Sequence, residues 1–283
     1  MTSASKRLLF GTAGVPLTTP ASSTLTAIEH VQRLGLDCLE VEFVRGVKMG
    51  ADTAGLIRLK AETLAIRLSL HAPYYINLNS AEEGKRLASQ ERLVASARLA
   101  QAMGARTVVF HAGYYGQASP EKTFETVKKG LQEVLSGLKS EKNAVSLRLE
   151  TMGKRSQFGS LDEVLLLCRE LEGLRPCLDF SHIHAREGGS NSYRHFIRIL
   201  RKVEKKLGQE ALADIHIHVA GVHYGDKGEV KHLDLRDSDF RYDDWVQALR
   251  DLGVAGMVIC ESPNLETDAL MLKALYNSYR MKG

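Results

Sequence analysis

Eight side chains in this sequence are of types that bind divalent cations: His71, His111, Glu150, Asp179, His182, His218, His232 and Glu261. All but His232 stand at or just past the C-terminal ends of apolar runs, and His232 lies in the loop after the seventh run. The stretch PCLDFSHIHA, residues 176–185, shows the problem they pose: it reads as a buried strand, yet it carries Asp179, His182 and His184. A buried carboxylate without a partner is strongly destabilising. Neutral imidazole and carboxylate together suit zinc and similar ions, and a group of cations offsets the cost of gathering several acids. A lone histidine at a strand end is ordinarily a hydrogen-bonded structural residue. Successive strands that each end in a metal-ligand type point instead to one shared site.

Such a site needs elements that converge. Eight short apolar runs occur at 7–14, 38–43, 67–72, 106–112, 144–150, 175–182, 214–221 and 256–262. They start about 30 to 40 residues apart, the spacing of a βαβ repeat. The segments between them carry helix signals. Ser160 followed by Glu163 is a capping box, Leu161, Val164, Leu165, Cys168 and Leu171 form one stripe, and Gly173 ends it. Ser119 before Pro120 gives the cap-then-first-residue order of another helix. Alternate residues of a strand face opposite sides. Leu68 and Leu70 therefore oppose Ser69 and His71, Val145, Leu147 and Leu149 oppose Ser146, Arg148 and Glu150, and Ile215, Ile217 and Val219 oppose Asp214, His216 and His218. An apolar outer face and a polar inner one fit a closed (β/α)8 TIM barrel, whose C-terminal rim builds active sites; an open doubly wound sheet is the alternative. The last run breaks the pattern, since Met257 and Ile259 share the side of Glu261.

Composition sets wider bounds. The chain has 283 residues, 44% of them hydrophobic, and a formal net charge of +4, which permits an anionic partner without demanding one. No low-complexity linker divides it, so residues 1–283 are expected to form one domain. Cys38, Cys168, Cys177 and Cys260 make no C-x-x-C pair and are expected to be reduced. The start lacks the apolar core of a signal peptide, and no run is long enough to span a membrane, so a soluble, cytoplasmic and monomeric protein is expected.

Five stretches, HAPYYINL (71–78), VVFHAGYY (108–115), LETMGKRSQFGS (149–160), CLDFSHIHA (177–185) and ICESPN (259–264), resemble in order the motifs of the endonuclease IV family. That family comprises metal-dependent apurinic/apyrimidinic endonucleases on a (β/α)8 barrel. The resemblance implies a zinc cluster: His71 and His111 on a first ion, Glu150 bridging to a second, Asp179, His218 and Glu261 completing the second, and His182 with His232 on a third. The family has an Asp two residues before the last His, where this chain has Val230; Glu229 and Asp234 are the nearby carboxylates that could substitute. The resemblance also implies DNA contacts from Tyr74, in the His-x-x-Tyr loop, and from Arg45, in the loop after the second run. The implied reaction is hydrolysis of the bond 5′ to an abasic site in DNA, leaving a 3′-hydroxyl, with Glu150 orienting the attacking water and no nucleotide cofactor. Lys48, Lys154 and Arg155 are candidate phosphate contacts or ordinary surface charges.

Two other readings stay open. Divalent-metal sugar isomerases and epimerases resembling xylose isomerase would use Glu150, Asp179, His218 and Glu261 equally well, but leave His71, His111, His182 and His232 without a purpose. A non-catalytic protein could keep the metals only to hold damaged DNA. His30 and His195 fall in predicted helices, His184 lies past the sixth strand, His216 sits one layer below His218 as a supporting group, and His223 is unassigned.

Overall fold

The structure, a computed structural model, describes residues 7–44, 46–188 and 191–279. Eight parallel strands close into a barrel: β1 (Leu8–Ala13), β2 (Cys38–Glu42), β3 (Arg67–His71), β4 (Thr107–Phe110), β5 (Ser146–Glu150), β6 (Leu174–Asp179), β7 (Ile215–Val219) and β10 (Gly256–Cys260). β1 pairs with β10, which pairs with β7, closing the ring outside chain order. A two-stranded antiparallel hairpin, β8 (Gly221–Gly225) and β9 (Gly228–Leu233), interrupts the repeat after β7. The helices are α1 (Thr24–Arg33), α2 (Ala51–Thr63), α3 (Glu83–Ala102), α4 (Pro120–Ser140), α5 (Leu161–Glu170), α6 (Phe180–Glu187), α7 (Tyr193–Leu207), α8 (Glu210–Ala213), α9 (Tyr242–Asp251) and α10 (Glu266–Ser278). Among the described residues no helix is long and apolar enough to cross a membrane.

The helix ends follow their chemistry. Ser119 caps α4 by accepting from the Lys122 N–H, with Pro120 in the first turn. Ser160 and Glu163 form the reciprocal capping box of α5. Each such cap stabilises its helix by about 1 kcal/mol.

The strand faces sort as alternation requires. Leu68, Leu70, Leu147, Leu149, Ile215, Ile217 and Val219 belong to the main core between barrel and helices. Ser69, His71, Arg148, Glu150, His216 and His218 are buried outside that apolar cluster, on the barrel-facing side. The exceptional last strand has a simple cause: Met257 and Ile259 pack with Cys38 in a small separate cluster, joined by Leu9 and Ala13.

Each strand is shorter than the run read from the sequence, and two of the ends have a particular cause. The sixth run stops at Asp179, because the Asp179 side chain accepts from the His182 N–H at 2.8 Å and starts α6 at Phe180. The seventh run stops at Val219, and what reads as a loop beyond it is the β8–β9 hairpin.

Candidate metal centre

Glu150, which ends β5, is the hub of the C-terminal rim. Its Oε2 lies 3.0 Å from His111 Nε2, 3.2 Å from His71 Nε2 and 3.6 Å from His218 Nδ1, and its Oε1 lies 3.1 Å from His182 Nδ1. Asp179 Oδ2 stands 3.3 Å from His182 Nδ1, and Glu261 Oε1 stands 3.0 Å from His218 Nδ1. The eight rim side chains expected to meet are thus brought to one mouth, lining or bordering a cavity of about 360 Å³.

The rings are aimed by the backbone. His71 Nδ1 lies 2.9 Å from its neighbour's carbonyl at Ala72, His182 Nδ1 lies 3.0 Å from the Thr151 carbonyl, and His232 Nδ1 lies 3.3 Å from the Glu261 carbonyl. Donation of the Nδ1 proton to these oxygens makes Nε2 the nitrogen that would bind a metal once it gives up its own proton, the arrangement usual for metal-binding histidine. Thr151 also accepts from the Asp179 N–H at 2.9 Å, tying the ends of β5 and β6 together.

The missing aspartate is replaced one residue earlier. Glu229 Oε2 lies 3.4 Å from His182 Nε2, and its Oε1 lies 3.8 Å from His232 Nε2. Val230 points to solvent, 57% exposed. Asp234 turns away and accepts from the Asn264 N–H at 3.1 Å. The hairpin register explains the exchange: His223 pairs with Lys231 and Tyr224 with Glu229, so Val230 is the extra residue of a bulge. In a regular strand, residues three apart face opposite sides; one bulged residue between them puts Glu229 and His232 on the same side. Gly153 makes room, since a Cβ there would fall 2.7 Å from Glu229 Cβ and 2.9 Å from His182 Cδ2. The Gly153 carbonyl also accepts from the Glu229 N–H at 3.2 Å.

This donor set fits metal ions. Asp179 Oδ2, both ring nitrogens of His218 and His232 Nε2 are buried without a hydrogen-bond partner among the described residues. Each nevertheless lies within 3.8 Å of an oppositely charged group. Two ligands of a tetrahedral zinc, each at about 2.0–2.2 Å, stand about 3.3 Å apart. The contacts around Glu150, from 3.0 to 3.6 Å, bracket that spacing.

The electrostatics agree. Burial works to raise the Glu150 pKa, but the His111 and His218 charges and hydrogen bonds from His111 and His182 hold it well below the usual carboxylate range. Burial likewise opposes His218 at Glu261, and the imidazole prevails, holding Glu261 at about 2. At His71 burial favours the neutral ring, yet Glu42 and Glu150 carry it up to about 10. Burial raises Asp179 despite His182. Without a metal the acids thus hold protons on His71, His182 and His218, and a divalent ion binds by displacing those protons.

Tyr74 lies on the rim, 53% exposed, with its hydroxyl donating to that of Tyr75 at 3.0 Å and the two rings 4.2 Å apart. Lys154 borders the mouth, Lys48 and Arg155 are exposed, and Arg45 lies outside the described residues. His184 is held away from the centre by Asp239 at 3.0 Å, His30 bonds Thr18, and His195 pairs with Glu187. His223 is exposed on β8. A larger groove of about 690 Å³, lined by Arg155, Asp162, Arg186 and Lys202, lies outside the rim, and none of the clustered imidazoles reaches it.

Sequence reasoning missed two acids of β2. Glu40 approaches His218 Nε2 at 2.8 Å and His216 Nε2 at 3.0 Å, and Glu42 lines the mouth, where burial lifts its carboxyl to about 8. Their spacing in CLEVEF, two residues apart, was the available signal that both face inward.

The chain is 46% identical to an uncharacterized protein of Methanocaldococcus jannaschii, over 95% of this chain and 97% of that one. It is 30% identical to a probable endonuclease 4 of a Geobacillus species, over 58% of this chain and 55% of the relative. Endonuclease IV from Thermus thermophilus superposes with a TM-score of 0.71 at 19% identity, covering 95% of this chain and all (100%) of that one. A D-tagatose 3-epimerase-like protein superposes equally well, with a TM-score of 0.72 at 18% identity over 95% of this chain and 96% of the other. At such identities both structures show the fold alone. Residues 28–276 match the family model of the xylose isomerase-like TIM barrel, and with the closed barrel and its rim of acids and imidazoles this places the chain in that family.

Proposed function

We propose that this chain is a zinc-dependent endonuclease that hydrolyses the phosphodiester 5′ to abasic sites in DNA, leaving a 3′-hydroxyl, as base-excision repair requires. The observation that carries the reading is the convergence of His71, His111, His182 and His218 within 3.6 Å of Glu150, with Glu229 and His232 beyond them. A single sugar-bound ion needs far fewer imidazoles. His71, His111 and Glu150 would hold one ion; Glu150, Asp179, His218 and Glu261 a second; His182, His232 and Glu229 a third. When bound, the ions would lower the pKa of water and neutralise charge on the phosphoryl and leaving oxygens. Glu150 would help hold the first two ions, and its carboxylate would orient the attacking water. Tyr74 offers an aromatic face beside the mouth, and Lys154 a cation for a phosphate. An abasic nucleotide lacks stacking and pairing, so turning it into the mouth costs less than flipping a normal one.

The test is incubation of zinc-loaded protein with duplex DNA holding one abasic site. The expected product is a nick 5′ to the site bearing an extendable 3′-hydroxyl, with about three zinc ions per chain at the rim. No nick, beside a known enzyme that cuts the same duplex, would overturn the reading. The cavity of about 360 Å³ also suits a sugar. Interconversion of ketohexose epimers with one manganese or magnesium per chain would establish an epimerase instead.

A further inference from the structure

Below the rim, the barrel interior gathers three donors that the proposed reaction does not use, Cys177, His216 and Glu40, around the far side of His218, which it does use. Cys177 on β6 and His216 and His218 on β7 bring one sulfur and two ring nitrogens within 4.8 Å of one another, and each residue is at most 1% exposed. Glu40 on β2, itself fully buried, reaches the two imidazoles from another strand of the barrel. Its Oε2 accepts from Ser69 Oγ at 2.7 Å and lies 3.0 Å from His216 Nε2. Its Oε1 lies 2.8 Å from His218 Nε2, yet neither of these two atoms makes a hydrogen bond among the described residues. A nitrogen and an oxygen held so close with no aligned proton are two donors free to turn to one cation, which would spread them to about 3.3 Å. The other nitrogen of His218 points the opposite way, to Glu261 Oε1 at 3.0 Å. The ring therefore stands between the rim and the floor.

The geometry points to a separate metal site on the barrel floor, in which Cys177, His216, Glu40 and His218 Nε2 bind one thiophilic divalent ion such as zinc. The donor set mixes sulfur, imidazole and carboxylate, which suits zinc and not magnesium or calcium. Three separate strands of a closed barrel fix it, so it is a rigid and closed site. Ser69 orients the carboxylate, as outer partners of metal ligands do. Filling the site releases the Cys177 thiol proton and the proton held between His216 Nε2 and Glu40. The His218 ring then links the floor ion to the rim.

Cobalt(II) distinguishes floor from rim, because the rim donors are all nitrogen and oxygen. Only a thiolate ligand gives a sulfur-to-cobalt charge-transfer band in the near ultraviolet, whereas ions at the rim give visible d–d absorption. The full chain, stripped of metal and titrated with cobalt, is expected to develop the charge-transfer band at one equivalent per chain. Cys177→Ser is expected to abolish that band and lower the bound cobalt by one equivalent, with the visible rim absorption kept. His216→Gln, which retains the thiol, is expected to weaken the band's titration by about 10–100-fold. Circular dichroism of both variants reports folding, and either variant alone decides. A rim-loaded wild-type protein with no charge-transfer band overturns the floor site. So does a band that survives in folded Cys177→Ser, which would assign it to Cys38, Cys168 or Cys260. Loss of the rim absorption with the sulfur band present would count against the nuclease centre and leave the floor site standing.

Discussion

Glu150 is the residue on which the rim depends. Its two oxygens are met by four imidazoles, so it cannot be replaced by a neutral amide without leaving those rings facing a weaker acceptor. Glu150→Gln keeps the shape and removes the charge. Incision of abasic DNA is expected to fall by more than about 100-fold, beyond what loss of an outer partner costs, with fewer zinc ions retained. Single-turnover nicking and elemental analysis check both. Much at this scale was readable in the sequence, because a histidine or acid at a strand end announces itself. Glu40 and Glu42 did not, since they sit within an apolar run whose length suggested only a strand.

At the scale of elements, the hairpin decides the third position. The bulge at Val230 turns a spacing of three residues into a shared face, so Glu229 is the carboxylate that faces His182 and His232. Glu229→Ala is expected to remove one zinc ion per chain and leave the others. Adding Val230→Asp in that background is expected not to restore it, because this position faces solvent. Zinc content after dialysis measures both; full restoration by the aspartate would show that the bulge is not fixed. A second element works similarly. Asp179 ends β6 and caps α6 at once, which returns His182 to the rim within a single turn. The residues were visible in the sequence, but a carboxylate that is both strand end and helix cap was not.

At the scale of the whole molecule, stability rests on contacts outside the set of clustered rim donors. Trp245 is fully buried, with its ring centroid 5.8 Å from that of Phe180 and 6.2 Å from that of Phe240, so it packs α9 against the start of α6. Trp245→Ala is expected to destabilise the fold by about 3–5 kcal/mol, measured by urea unfolding. Glu266 ties α10 to the loop after β1 by accepting from the Leu17 and Thr18 N–H groups at 2.9 and 2.8 Å. Burial opposes its charge, but these hydrogen bonds and that of the Thr18 hydroxyl lower its pKa below the ordinary carboxylate value. Its contribution is therefore complete above the unfolded-state pKa and is lost as pH falls through the lower folded-state value. The stability gap between wild type and Glu266→Gln is expected to be widest near neutral pH and to shrink on acidification. A gap independent of pH would exclude this role.

By itself the sequence determined the eight-strand repeat, the closed barrel and most of the rim donors. Period-two alternation and helix caps are local, and they act through neighbouring residues in the chain. Only the tertiary structure decided that Glu229, and not Asp234, stands by His182, and that Glu40 meets His216 and His218 inside the barrel. Those outcomes depend on a bulge register and on distances across a closed barrel, where residues more than a hundred positions apart become neighbours, and no local pattern encodes them.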